Sequence, residues 1–363
     1  MSKPRVLFVS RTAYRLPLEP ALARKWDALA EELDLRGLAA GQGDDGRFRL
    51  VPARSPAFYL SLPRHVAREL RDFRPDVVVA QSPYEASAAL MGARLARLPV
   101  RLLVEVHGDW RTASRLYGSP LRRLVEPVSL AAARVAVQRA DAIRTVSPFT
   151  SSLVRSLGRE PTATFTTYFD ESAFDAQPPV LMPPEPRALF VGVLERYKNV
   201  AGLAGAWRLA APRVPGAILH LVGRGHERAL VQELLVDLPA QTRWDERLEP
   251  AQVAAALDDA TLLVLPSHSE GLPRVVMEAF ARGRPVVGAR AGGIPDIVED
   301  GVSGLLVEPG NIPALADALV RLLSDLELAE QLAAGALAAR DRWLQTPATF
   351  ARRMRELVDT MLQ

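Results

Sequence analysis

Glu270 and Glu278 stand eight positions apart in HSEGLPRVVMEAFARGRPVVGARAGG, a segment rich in apolar and small residues. A carboxylate withdrawn from water needs a partner. Just upstream, ATLLVLPS reads as a buried strand ending at Pro266, and a helix start is expected near Pro273, because proline is tolerated in a first turn. Glu270 then falls in the loop at the strand's carboxyl end, and Glu278 in the first or second turn of the helix. The amides between Gly271 and Val276 lack intrahelical partners and carry the positive end of the helix dipole, so an anion such as a diphosphate fits between the two acids. Each carboxylate can accept two hydroxyl hydrogen bonds, which suits vicinal diols. The spacing spans on the order of 10 Å, comparable to the reach from the ribose to the hexose of a nucleotide sugar. The competing reading is structural: Glu278 complements the helix start and Glu270 pairs with an arginine.

Other residues invite chemistry. FVGVLERYKN offers a strand, Gly192, a loop and then Lys198 at a helix start. Lys198 is one of three lysines, with Lys3 and Lys25, in a chain whose basic residues are otherwise arginine. A flexible ammonium suits a phosphate ester whose leaving-group charge grows in the transition state. EVHGDW follows the apolar run VRLLV, so His107 is expected at the carboxyl edge of the first sheet; a core histidine is the alternative. Asp109 and Trp110 are candidates to shape an acceptor pocket. The first loop, SRTAYRLPL, carries Arg11, Thr12, Tyr14 and Arg15, and an arginine can replace backbone donors for a phosphate. Gly223 and Gly225 of VGRGHE follow a strand, at a position in the second half suited to a nucleobase. His268 is read only as a support for Glu270.

The elements that must position these groups alternate along the chain. RVLFVS, PDVVVAQ, VRLLVEVHG and DAIRTVS are short apolar runs separated by helical patterns, the mark of parallel sheet buried on both faces. AQPPVLMPPEP, with five prolines in eleven residues, interrupts the pattern, which restarts at RALFVGVLE. The reading is α/β throughout: a domain over 1–176, a linker over 177–186, a second domain over 187–344, and a helix over 345–363 with Phe350, Met354, Leu357 and Met361 on one face. Ligand crevices are expected at the carboxyl ends of the strands. A length of 363 residues suits two such domains.

Composition excludes several chemistries. With no cysteine there is no disulfide framework, Cys-ligated zinc, iron–sulfur cluster or cysteine nucleophile, and the five histidines never form an H-x-x-x-H pair. No apolar run reaches the roughly 18 residues of a membrane span, and RVLFVS at the amino end does not read as a leader, so a cytoplasmic location is expected. Basic residues predominate in 1–176 and acidic ones in the remainder. The basic half can attract phosphates or an anionic membrane. In LPRHVARELRDF, Arg64, Arg68 and Arg71 share a helix face that suits anionic lipid, or simply solvent.

The run EGLPRVVMEAFARGRPVVGARAGGIPDIVEDGVSGLLVEPGN resembles the signature segment of the family 4 retaining glycosyltransferases, of GT-B fold: two Rossmann-like α/β/α domains facing a deep interdomain cleft. The match comprises both glutamates, E-A-x-A-x-G-x-P-V-V, the G-G-I-P turn and G-x-L-V-x-P-G-N. FVGVLERYKN, LHLVGRG, HGDW, TVSPF and YFDESAF have looser counterparts there. The resemblance implies that Glu270 binds donor hexose hydroxyls, with Gly271, Leu272, Pro273, Arg274 and Val275 along the sugar and diphosphate, and that Glu278 binds the ribose. It implies Lys198 on the diphosphate, Gly223 near the base, His107 on the donor hexose or acceptor, and a closing helix that crosses back to the first domain. Two positions depart from it. Val193 stands where the family commonly has an arginine, with Arg196 available to supply that charge, and SRTAYRLPL replaces a glycine-rich turn, with Arg11 as the compensating group. The expected activity is transfer of a hexose from a nucleotide-diphosphate sugar to a glycan, lipid-linked or small-molecule acceptor, with retention, without metal or other cofactor and without nucleic acid. A GT-B isomerase or phosphorylase and a non-catalytic nucleotide-sugar-binding protein are the alternatives. If the acceptor is lipid-linked, peripheral association with the inner membrane face follows.

Overall fold

A computed structural model of the chain describes residues 2–43, 45–52, 57–112, 120–168 and 170–363, with the backbone alone for 120–125. Phe169, within the YFDESAF run, therefore lies outside the described residues. Two compact units are present: Met1–Asp170 together with Gln345–Gln363, and Glu171–Leu344.

The first unit runs β1 (Arg5–Arg15), α1 (Pro20–Glu32), β2 (Asp34–Gln42), β3 (Phe48–Val51), α2 (Ala57–Asp72), β4 (Val77–Ala80), α3 (Pro83–Ala96), β5 (Arg101–Val106), α4 (Pro120–Arg139), β6 (Ala142–Thr145), α5 (Pro148–Arg155) and β7 (Ala163–Thr164). Its sheet has the order β3-β2-β1-β4-β5-β6-β7, with parallel pairings. The four residues of β4 are all buried, as strands covered by helices on both faces must be. Helix starts follow from local chemistry. Ser82 caps α3 by accepting from the Tyr84 amide, and Ser147 and Thr150 form a reciprocal capping box at α5, each with proline in the first turn.

The stretch SRTAYRLPL, expected as a loop, is largely strand. β1 continues to Arg15, and its pairing with β2 slips between Val9 and Ala13, so that Ser10, Arg11 and Thr12 bulge from the ladder. The bulge puts Arg11 outward while Tyr14 returns to the core.

The second unit runs α6 (Ser172–Asp175), β8 (Arg187–Val191), α7 (Val200–Ala210), β9 (Ile218–Val222), α8 (Arg228–Asp237), β10 (Thr242–Asp245), α9 (Pro250–Asp258), β11 (Leu262–Leu265), α10 (Arg274–Ala281), β12 (Val286–Ala289), α11 (Ile294–Ile297), β13 (Gly304–Val307), α12 (Ile312–Ser324) and α13 (Leu326–Ala339). Its sheet order is β10-β9-β8-β11-β12-β13, with parallel pairings. Each sheet reverses its strand order beside its first strand, and ligands of open α/β sheets bind at such a point, outside the carboxyl ends.

The proline-rich stretch read as a spacer is strapped to the second unit. Proline offers carbonyls without N–H groups, so the strap takes its donors from two arginines that are each 2% exposed. Arg282 grips the Asp258 carboxylate with two bonds of 2.8 Å and donates to the carbonyls of Phe174, Gln177 and Pro178. Arg284 donates to the carbonyls of Val180 and Leu181, and to those of Leu257 and Asp258 at the end of α9.

The last helix, α14 (Pro347–Leu362), belongs to the first unit. Thr346 caps it, and Phe350, Met354, Leu357 and Val358 are buried in the core that holds Phe8, Trp26, Leu29 and Leu33. Burial of such side chains stabilises by about 2 kcal/mol each.

Candidate nucleotide-sugar site

In the second unit four strand-end loops converge. The loop after β8 is tied to the loop after β9: the Gly192 amide donates to the Val222 carbonyl, the Leu194 amide to Arg224, and the Glu227 amide to Leu194. Gly223, at φ +147°, lies so near the Gly192 carbonyl that an added Cβ would stand 1.8 Å from its oxygen. Trp244 secures the same turn, its indole N–H donating to the Gly223 carbonyl at 2.9 Å. The loop after β11 joins through the His268 amide, which donates to the Tyr197 carbonyl, and Asn199 reaches the Pro266 carbonyl. The G-G-I-P turn after β12 completes the set. Gly292, at φ +57°, packs on the Glu270 peptide at a distance that no Cβ could occupy, and the Gly293 amide donates to the Glu270 carbonyl at 2.9 Å.

This scaffold sets Lys198 Nζ 2.7 Å from Glu270 Oε1, both side chains about one-tenth exposed. The partner of Glu270 is thus the lysine and not an arginine. The Lys198 stem lies over Gly192, where a Cβ would stand 3.3 Å from Lys198 Cε. An ammonium has three donors, so two remain for an anion while the bridge holds. Glu278 is in the second turn of α10 and largely buried; among the described residues no hydrogen bond to its carboxylate is found. Burial raises its pKa above the usual carboxylate range, and Arg274, one turn earlier, offsets part of that rise. Arg274 is exposed, Val275 and Pro273 are buried, and Gly271 and Leu272 are half-buried. The Val276 amide is already bonded to the Pro273 carbonyl at 3.1 Å, so it is not an open donor at the helix start. Val193 is 46% exposed. Arg196 opens the 3-10 turn Arg196–Lys198, is exposed, and lies close enough to Glu227 to affect its charge.

In the first unit His107 follows β5 directly. Its Nε2 is 3.1 Å from Glu105 Oε2, and its ring is 38% exposed. Glu105 is buried and paired with the fully buried Arg144 at 2.8 Å. Burial alone would raise the Glu105 pKa, but Arg144 and His107 hold it well below the usual carboxylate range. Asp109 is occupied locally, accepting from the Arg111 amide and guanidinium. Two aromatic candidates, Trp110 for the acceptor pocket and Tyr14 for the acceptor or diphosphate, are turned into the core. Trp110 is 6% exposed and part of the core, with its carbonyl accepting from the Tyr84 hydroxyl at 2.7 Å. Tyr14 is 8% exposed, edge-on to Trp26 and Phe48, and burial pushes its pKa up to about 12. The bulge in β1 returns the Tyr14 side chain to the inner face, and both aromatics are core residues of the first unit. Arg11 engages the Tyr59 hydroxyl within its own unit, and that hydroxyl also donates to Glu85 Oε1 at 3.2 Å.

Sequence reasoning missed Glu105, Arg144, Tyr59 and Glu85. Two signals were present: Glu105, near the end of an apolar strand run, stands two positions before His107, which places both on one side if the chain stays extended, and Arg144 is a lone basic residue inside the run DAIRTV.

Two Rossmann-like units, the second with glycine turns and a lysine–glutamate pair at its strand ends, define a doubly wound α/β architecture with a candidate ligand site. The comparisons sharpen this. Residues 173–338 match the model described as "Glycosyl transferases group 1", and residues 21–166 match "Glycosyltransferase Family 4". The sulfoquinovosyl transferase SQD2 of Arabidopsis thaliana is 32% identical over 151 residues, 41% of this chain and 28% of that protein. A sucrose-phosphate synthase of Thermosynechococcus elongatus superposes with a TM-score of 0.80 at 19% identity, over 99% of both chains. HepE of Anabaena, solved in complex with UDP-glucose, gives a TM-score of 0.72 at 18% identity, over 98% of this chain and 100% of that one. The fold is GT-B, and the chain belongs to the family 4 (group 1) glycosyltransferases. The matched stretches span 28% to 41% of the lengths of the first curated relatives.

Proposed function

We propose that the chain is a retaining glycosyltransferase that moves a hexose from a UDP- or GDP-sugar to a glycan, lipid-linked or small-molecule acceptor. The observation that carries this reading is the 2.7 Å pair of Lys198 and Glu270 at the strand ends, with the unbonded Glu278 carboxylate farther along on α10. In this reading Glu278 takes the ribose hydroxyls and Glu270 the hexose hydroxyls, while Lys198 and Arg196 face the diphosphate together with the backbone from Gly271 to Val275. Gly223 gives the base a close backbone approach. The two spare Lys198 donors neutralise charge as the diphosphate departs, which removes the need for a metal. In this reading transfer is by front-face displacement, the leaving phosphate oxygen taking the acceptor proton; His107 remains a candidate contact for a sugar or acceptor hydroxyl and Arg11 for a phosphate. HepE, solved with UDP-glucose, supports the donor class.

Thermal stabilisation by UDP-, GDP- and ADP-sugars tests the donor, and the anomeric configuration of the product by NMR tests retention. Glu278→Ala should abolish the stabilisation. Absence of stabilisation by every sugar nucleotide in the wild type would overturn the reading. Stabilisation without turnover would favour a binding protein, the outcome to which Val193 points.

No helix among the described residues is long and apolar enough to cross a membrane. For a lipid-linked acceptor we place the docking face on α2 and α3, where exposed Arg64, Arg68, Arg71 and Arg94 are interspersed with Met91 and Leu95. Co-sedimentation with anionic but not neutral vesicles is the expected result.

A further inference from the structure

Glu105, Arg144 and Phe350 form a chain of contacts that ends on His107. Arg144 is fully buried and each of its three nitrogens has a fixed partner: Nε on Glu105 Oε1 at 2.8 Å, one amino group on the Phe165 carbonyl at 2.8 Å, the other on Thr167 Oγ1 at 3.1 Å. Its guanidinium plane lies 4.7 Å from the Phe165 ring and 5.4 Å from that of Phe350 on α14. The second carboxylate oxygen of Glu105 is left to His107 Nε2 at 3.1 Å. An ionised carboxylate only accepts, so the neutral imidazole must carry its proton on Nε2, and Nδ1 becomes an acceptor.

We propose that Glu105 is a positioning residue: clamped by Arg144, it fixes the ring plane and the Nε2–H form of His107, presenting Nδ1 to accept a hydrogen bond from a sugar or acceptor hydroxyl. The hydroxyl partner rests on the glycosyltransferase reading; the tautomer does not. The helix α14 enters the same device, because Phe350 backs the guanidinium that holds the carboxylate.

The test is a nitrogen-15 imidazole spectrum of the full chain, with the His107 signals assigned by their loss in His107→Asn. The wild type should show one form, protonated at Nε2 and bare at Nδ1. In the double variant Glu105→Leu with Arg144→Met, which replaces the buried pair by apolar groups of similar bulk and is expected to keep the fold, the two nitrogens should move toward exchange-averaged positions. Transferase kcat should fall about 10- to 100-fold, the range seen when the partner orienting a functional histidine is removed, with donor KM changed less than about threefold. Glu105→Gln is the second variant. Its amide can donate to the ring as well as accept from it, so both tautomers should appear. A wild-type His107 protonated on Nδ1, or an unchanged spectrum in both variants, overturns the proposal. A wild type with the expected tautomer but no transfer to any acceptor would remove the glycosyltransferase reading and leave the relay standing.

Discussion

Glu278 sits largely buried on α10, with only the nearby Arg274 to offset the loss of water. Its folded pKa is raised above the usual 4.5, so the native state binds more protons than the unfolded one just above that pH, and stability falls as pH rises through the interval. Glu278→Gln should flatten that dependence and stabilise the protein at neutral pH by about 1 kcal/mol, roughly 2–4 °C in Tm, while weakening donor binding; a melting series from pH 4 to 8 with and without nucleotide sugar measures both. Glu105 has the opposite sign. Its depressed pKa contributes stability that is present above 4.5 and is lost as pH falls below it. The placement of the two glutamates of the second unit, one in the loop after a strand and one in the second turn of the next helix, was legible from the apolar run and the proline that mark those elements. The inward turn of Tyr14 could not be read because it depends on a bulge, and SRTAYR carries no sign of the slip that returns Tyr14 to the core; Trp110 lies in the turn after β5, and its packing into the core depends on contacts the local sequence does not name.

The elements were the most legible scale, since buried parallel strands write themselves as apolar runs such as VVVA and LLVL, and proline punctuates the helix starts. The strap of 176–186 was the exception: five prolines mark a break in the alternation but do not say what holds it, and the answer lies about 100 residues later in Arg282 and Arg284. Removing one buried arginine leaves the Asp258 carboxylate and several carbonyls without donors. Arg282→Ala should therefore cost about 3 kcal/mol and open the segment between Phe174 and Pro186 to limited proteolysis, whereas Arg282→Lys should rescue only part of the loss, because an ammonium cannot grip a carboxylate and three carbonyls together. At the site, Gly223→Ala should weaken donor binding more than tenfold by calorimetry, because its Cβ would stand 1.8 Å from the Gly192 carbonyl oxygen and displace the peptide on which the Lys198 stem packs.

At the scale of the molecule, the second unit is a continuous stretch, 171–344, whereas the first is closed by residues that follow it in the chain. The apolar spacing of the last helix could be read in advance, but its packing against α1 could not, since periodicity names a face and not its partner. A 171–344 fragment should melt cooperatively and respond to the nucleotide sugar. A 1–170 fragment should expose the face around Trp26 and Leu29, bind a hydrophobic dye and regain a sharp transition when 345–363 is supplied as a peptide. The same connectivity imposes an order on birth at the ribosome. The second unit can collapse as soon as its own strands emerge, but Trp26, made before it, must wait for Phe350 and Met354, so of the two units the one begun earlier is the later to finish folding.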